Sequence, residues 1–175
     1  MDFGIKENIL RSFKQRNCKL TVFPANVKSE EILKINPDLV FLSNGPGDPE
    51  DLQEEIKMLK EIIGKKPIVG ICLGHQLLAL ALGGKTGKLK FGHRGCNHPV
   101  KDIKENKVYI TSQNHGYYVS ELPKDMEVTH VSVNDGTIEG MKHKTLPIFS
   151  VQFHPEACPG PRDIDVIFDR FLSIL

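Results

Sequence analysis

Three features of the chain predict an α/β fold: strands alternate with helices along the first half, a glycine-flanked cysteine joins an apolar strand to a helix, and short β-like runs take over after Gly84. The expected architecture is a doubly wound, mostly parallel sheet flanked by helices, carrying a small antiparallel β extension. Ligands then sit in the crevice beyond the carboxyl ends of the strands. With 175 residues, 39% of them hydrophobic, the chain suits one domain with a sizeable core, taken as residues 1–175.

Composition narrows the partners. A formal net charge of +1 gives no electrostatic reason to expect nucleic acid or an anionic membrane. No apolar run approaches the roughly 20 residues that cross a bilayer. The opening residues Met1–Glu7 lack a basic-then-apolar signal pattern, so a cytoplasmic protein is expected. Cys18, Cys72, Cys96 and Cys158 are scattered, which reads as free thiols in a reducing compartment.

Taken in order, Ile5, Ile9, Leu10 and Phe13 fall at helical spacing, so a helix begins almost at the first residue. Lys19–Phe23 reads as a short strand closed by Pro24, and Ser29–Leu33 as a brief capped helix. Asp38–Ser43 is a buried-looking strand running into the turn Asn44–Pro49. Glu50–Ile63 is amphipathic and helical, Ile68–Ile71 is the next strand, and Gln76–Leu82 the next helix. Beyond Gly84, the runs Lys88–Phe91, Val108–Thr111, Glu127–Val133, Thr137–Met141 and Ile148–Phe153 predict the antiparallel extension, with Asn134–Gly136 as one turn. Asp163–Leu175 closes the chain as a helix with Ile164, Ile167, Phe168, Phe171 and Leu172 on one face.

Chemistry concentrates in four places. Cys72, between Gly70 and Gly74 at a strand-to-helix turn, has the pattern of a nucleophile elbow, and the helix N-terminus behind it favours a thiolate. A buried structural cysteine is the alternative. His154 ends a β-like run with Glu156 two residues on; a thiol nucleophile needs a base, and the base needs an acceptor to orient it. Alone, this His-Pro-Glu reads first as a surface turn; paired with Cys72 on an elbow, the reading reverses. The glycine-rich turn Asn44–Gly47 leaves backbone N–H groups free for an oxyanion. Phosphate binding competes there, but no P-loop is present, since Gly84–Thr86 has Ala79 where the first glycine belongs and follows a helix. Ser112–Tyr118 offers polar and aromatic groups that could frame a small polar substrate or merely anchor a loop. The richest metal-like cluster is His93, Cys96 and His98, joined in principle by His115; its spacing is no recognised ligand pair, and it reads as a structural loop with no metal assigned.

With these segments together, the sequence resembles the class I glutamine amidotransferases, and within them the glutaminase domain of the carbamoyl-phosphate synthetase small subunit. The carrying residues are Asp2–Leu10, Ser43–Pro49, Gly70–Gln76, Lys90–Gly95 with Asn97–Pro99, Ser112–Gly116 and Phe153–Asp163. The resemblance implies a flavodoxin-like fold in which Cys72 attacks the carboxamide of L-glutamine, His154 moves protons and Glu156 orients His154. It further implies an oxyanion hole from Gly45, Gly47 and the Leu73 amide, and glutamine binding by Gln76, Asn114, Gly116 and Tyr117, the last at a place often held by phenylalanine. Ammonia would pass to the large synthetase subunit, to which ATP, bicarbonate and Mg belong; no cofactor is expected in this chain. Rival readings are a glutaminase for another synthetase, a γ-glutamyl hydrolase, or a non-catalytic interaction or regulatory module.

Two departures from the family pattern shape the expectations. The separate N-terminal domain of the family's small subunit is absent, and the strand that should precede Asp2–Gly4 is missing. The chain is therefore expected to be a fragment, with a gap or altered pairing where the first strand belongs.

Overall fold

The computed structural model describes residues 1–175. Five helices and seven strands follow one another: α1 Glu7–Gln15, α2 Ser29–Lys34, β1 Val40–Leu42, α3 Gln53–Ile62, β2 Ile68–Ile71, α4 Leu73–Ala81, β3 Lys85–Asp102, β4 Lys107–Glu121, β5 Met126–Ser132, β6 Ile138–His143, β7 Ile148–Val151 and α5 Val166–Leu172. The sequence periodicity explains the helices. Ile9 and Phe13 of α1, Ile56, Leu59 and Ile62 of α3, and Ile167, Phe168 and Phe171 of α5 recur at three- and four-residue intervals, and all are buried. Helix α4 is apolar nearly all round and accordingly sits inside the molecule. No helix is long and apolar enough to cross a membrane.

The strands form one seven-stranded sheet in the order β1-β2-β7-β6-β4-β3-β5. Val40 and Leu42 of β1 and Ile68 of β2 pack into one apolar cluster with Ile32, Leu59, Ile62, Leu77 and Leu78. Val69 and Ile71 of β2 and Val151 of β7 join the other, with Ile9, Phe13, Ile167, Phe168 and Phe171. Alternate residues thus bury on opposite faces, as strand geometry requires, and helices cover both sides of this part of the sheet. Phe13 meets Phe168 edge-on at 5.2 Å and Phe41 at 5.0 Å, locking α1 onto the second face.

Two sequence expectations need correction. The sheet is not mostly parallel: only β1, β2 and β7 pair in parallel, while β3 to β6 pair antiparallel and β6 joins β7 antiparallel. Because β5 also pairs with β6, these four strands close into a small barrel-like ring. The antiparallel part looked small in sequence because β3 and β4 are long but bulged. Their register shifts between Lys88 and His93 and again between Gly95 and His98, where Gly92 and Gly95 take positive φ, so the alternation of apolar residues is broken.

Lys19–Phe23 forms no strand. A strand needs a neighbour along its length, and here a single ladder bond is made, from Asp2 N–H to Phe23 O at 2.8 Å. In the slot beside β1, where a gap or altered pairing is expected, the structure has altered pairing. Met1–Phe3 lies there: the Met1 amino group donates to Phe41 O (2.7 Å), Ser43 N–H donates to Met1 O (3.3 Å) and Phe3 N–H to Ser43 Oγ (2.9 Å). The slot is thus held by a few residues making backbone bonds instead of standing open.

Helix α4 approaches β1 so closely that Gly74 has no room for a side chain; a Cβ there would come within 2.6 Å of the Leu42 side chain. Gly74→Ala should therefore destabilise the fold by about 1–3 kcal/mol. Urea unfolding checks this, and an unchanged midpoint would contradict the close approach of α4 to β1.

Candidate active site

Cys72 follows the last residue of β2 and precedes the first of α4, with φ 53° and ψ −103°. Left-handed φ is costly for a residue with a Cβ, of order 1–3 kcal/mol, and survives only where the surroundings impose it. They do so here: Cys72 N–H donates to Val151 O of β7 (2.9 Å) and Gly74 N–H to Ser43 O (3.1 Å). Gly70 is obligatory as well, since a Cβ there would lie 2.8 Å from the Gly74 carbonyl carbon. The Gly-x-Cys-x-Gly pattern is thus what folding a helix straight back over its own strand requires locally. Of the first amides of α4, Gly74 N–H is tied to Ser43; Leu73 N–H precedes any intrahelical acceptor and remains a candidate oxyanion donor.

His154 arrives just after β7, the strand beside β2. Its N–H donates to Ser112 O of β4 (2.9 Å), and its Nδ1 hydrogen-bonds Glu156 Oε1 at 2.7 Å. With Nδ1 engaged, Nε2 is the nitrogen left for the thiol, the arrangement a thiol–imidazole pair needs. Glu156 is itself fixed: Lys6 Nζ lies 2.9 Å from Glu156 Oε1 and donates to Ala157 O (2.7 Å), and the Asn8 side-chain amide donates to Glu156 O. Burial would lower the His154 pKa, but the facing Cys72 and Glu156 outweigh it and raise the imidazole to about 10. Burial would likewise raise Glu156, yet His154 and then Lys6 hold its carboxyl below the usual range.

Cys72 and His154 open on a cavity of about 510 Å³. Of the residues expected around a substrate, Gly45 and Asn114 also line it, with Pro46 between Gly45 and Gly47. Gly45 must be glycine, because a Cβ would meet Phe3 Cβ at 2.8 Å and Leu73 Cδ2 at 2.7 Å. Glu156 stands behind His154. Gly47, Leu73, Gln76, Gly116 and Tyr117 do not line the cavity. Gln76 Nε2 donates to Tyr117 O (2.8 Å) and to Gln152 Oε1 (3.0 Å), so its amide serves the scaffold. The Tyr117 ring has Lys88 Nζ 5.7 Å from its centroid, and the neighbouring Asp48 carboxylate raises its phenol pKa.

Sequence reasoning missed Lys6 and Asn8, which reach residues about 150 positions away; only their place in the segment Asp2–Leu10 hinted at a role. The metal-like cluster also regroups. Cys96 lines the cavity and His98 Nε2 hydrogen-bonds Arg94 O (3.1 Å), whereas His93, His115 and Glu139 bring their donor atoms within 4.8 Å of one another. These three could hold a metal by donor type, but the Gln113 amide oxygen already bridges the two imidazoles, 3.1 Å from His93 Nδ1 and 2.6 Å from His115 Nε2.

A cysteine, an imidazole and a carboxylate in series beside backbone donors suit acyl transfer through a thioester. Comparison with known proteins points the same way. The family profile described as glutamine amidotransferase class-I matches residues 1–174. A carbamoyl phosphate synthase small chain of Clostridium perfringens is 73% identical over 173 residues, covering 99% of this chain and 50% of the relative. A pyrimidine-specific small chain of the same enzyme from Bacillus subtilis is 57% identical, over 100% of this chain and 48% of the relative. The chain thus spans about half the length of the relatives it matches. Among solved structures, a glutamine amidotransferase from Thermotoga maritima superposes with a TM-score of 0.70 at 25% identity, over 87% of this chain and 73% of the other. A Thermoplasma acidophilum protein described as a GMP synthase subunit gives 0.84 at 25% identity, over 99% and 90%.

The electrostatics of the triad can be read directly. By NMR, the His154 imidazole should titrate at about 10 in the wild type and lower in Cys72→Ser, which removes a cause of the upward shift. An unchanged titration in the variant would show that Cys72 does not face the ring.

Proposed function

This chain belongs to the class-I glutamine amidotransferases, and we propose that it hydrolyses L-glutamine to glutamate and ammonia for carbamoyl phosphate synthesis. The observation that carries the reading is Cys72 on its strained elbow, sharing a cavity with His154, whose Nδ1 is held by Glu156 at 2.7 Å. Residues 1–175 act as a single domain, and the parallel strands with helices on both faces are the core of a doubly wound, flavodoxin-like sheet.

The chemistry follows from the geometry. With the proton on His154, Cys72 Sγ attacks the side-chain carboxamide carbon, forming a C–S bond and a tetrahedral oxyanion. The Leu73 amide and the Gly45–Gly47 turn stabilise that oxyanion. His154 passes its proton to the amide nitrogen, the C–N bond breaks and ammonia leaves, giving the glutamyl thioester. His154, now neutral, takes a proton from water, which attacks the thioester; glutamate departs and the thiol–imidazole pair is restored. Asn114 holds the glutamine from the cavity wall, Gly116 and Tyr117 complete the binding segment just beyond it on β4, and Gln76 acts from behind by bonding Tyr117 O.

Every step uses side chains and amides of this chain, so the proposal assigns it no cofactor. Ammonia is delivered to the large synthetase subunit, where ATP, bicarbonate and Mg are consumed, in support of pyrimidine and arginine synthesis. Nucleic acid and membranes play no part in the proposal. The four cysteines are free, which suits a catalytic thiol working in the cytoplasm.

The test is glutamate release from glutamine with the large synthetase subunit present. Cys72→Ser should lose on the order of 10³-fold or more. Wild-type release no faster than the variant's would sink the proposal. The sign of the pH dependence follows from the raised His154 pKa: the ring is protonated across neutrality and loses its proton as pH rises through about 10. The rate of thioester formation should therefore show no His154 inflection near the ordinary imidazole value of about 6.5, and the limb that His154 sets should lie on the alkaline side. In Glu156→Gln the alkaline limb should move to lower pH, because the carboxylate that helps raise His154 is gone. A limb that stays put would deny Glu156 that role.

A further inference from the structure

Behind the cavity wall formed by Ser112, Gln113 and Asn114 lies a buried polar cluster that the reaction does not touch. Its hub is the Gln113 carboxamide. The amide oxygen meets His93 Nδ1 (3.1 Å) and His115 Nε2 (2.6 Å), and the amide nitrogen donates to Glu139 Oε2 (3.0 Å) and Thr111 Oγ1 (3.3 Å). Each polar atom of the amide thereby faces two neighbours, and the neutral His115, with one N–H, can donate to only one of Tyr117 O and Gln113 Oε1. His93 is tied onward to Asp135 Oδ2 (2.8 Å), and His115 Nδ1 to Tyr117 O (2.7 Å), the same carbonyl that Gln76 engages. Glu139 is fully buried, and its Oε1 makes no hydrogen bond but lies 3.4 Å from His93 Nδ1, the imidazole it helps keep protonated. Burying a carboxyl this way is costly, and a partly satisfied network is worse than an apolar core unless it fixes something.

What it fixes is visible in the strand pairing. On the side of β4 that faces β6 and β7, the only pairings are Ser112 with His154 and Val119 with Ile138. Between them the run that faces the substrate has no ladder, and on the other side its register with β3 is broken on both flanks. Side chains stand in for the absent backbone bonds. We infer that Gln113, clamped by Glu139, His93 and His115, is a positioning residue that holds Ser112–Tyr117 in place to receive glutamine. The inference rests on the glutaminase reading and deepens it: Glu139, which does not line the cavity, governs the KM for glutamine.

The experiment compares wild type, Glu139→Leu, Glu139→Gln and Gln113→Asn in the complex with the large synthetase subunit. Glutamine kinetics are measured together with hydrogen exchange of the backbone over residues 112–117. In Glu139→Leu the KM should rise about tenfold or more, kcat should stay within about threefold, and exchange over 112–117 should quicken while α4 is unaffected. Glu139→Gln keeps an acceptor for Gln113 and should restore both readouts. Gln113→Asn, too short to reach both sides of the cluster, should behave like Glu139→Leu and serves if that variant fails to fold. Unchanged KM and exchange in both disruptive variants would overturn the inference, as would a loss confined to kcat. Stoichiometric zinc in the purified wild type, lost on Glu139→Leu, would also overturn it by making the cluster a metal centre. If the wild type releases no glutamate, the glutaminase reading fails by itself, and hydrogen exchange still decides whether the cluster holds the strand.

Discussion

The structure depends on one strained turn, the left-handed Cys72 between β2 and α4. Its neighbours in the sheet explain why it can exist and what it is for. Strand β7 accepts the Cys72 N–H and then runs on to His154, and β1 leads into the Gly45–Gly47 turn after receiving Gly74 N–H at Ser43. Three adjacent parallel strands therefore deliver a thiol, an imidazole and a glycine-rich turn to one edge of the sheet. This is the expected placement of a site beyond strand carboxyl ends, and it requires glycine at positions 45, 70 and 74, where any side chain would collide with backbone or packed atoms.

The same edge is held together by charge. A carboxylate as buried as Glu156 persists only with cationic or hydrogen-bonding partners. His154 supplies one and Lys6 another, and Lys6 stands on the loop that Asp2 shapes by accepting the N–H groups of Gly4 and Ile5, each at 2.9 Å. The chain's first residues therefore carry part of the support of a base that lies near its other end. Because Cys72 and Glu156 both favour His154 in its protonated form, the pairing is also electrostatic tuning, and the ring stays charged where a solvent-exposed imidazole would be half neutral.

What the sequence disclosed was what local rules determine. Gly70, Cys72 and Gly74 declare an elbow, His154 and Glu156 declare an imidazole paired with a carboxylate, and the helical faces of α1, α3 and α5 follow from spacing. Less legible were features set by distant partners or broken patterns. The bulges at Gly92 and Gly95 hid the length of β3 and β4, so a large antiparallel ring passed for a small extension. Lys19–Phe23 had strand-like residues but lacks a strand to pair with. Glu139 gave no sign of its burial beside His93, and Gln76 gave none of turning its amide to Tyr117 instead of the cavity. In each case the deciding contact lies tens of residues away, where propensity and periodicity carry no information.

The central claim is that Cys72 becomes covalently acylated by glutamine. Mass spectrometry of the protein, acid-quenched during turnover with isotopically labelled glutamine, tests it most directly. A labelled glutamyl group on the peptide containing Cys72, sensitive to hydroxylamine and missing from Cys72→Ser, is the predicted result. Labelled glutamate formed with no such adduct, or an adduct on Cys96 or Cys158 instead, would contradict it.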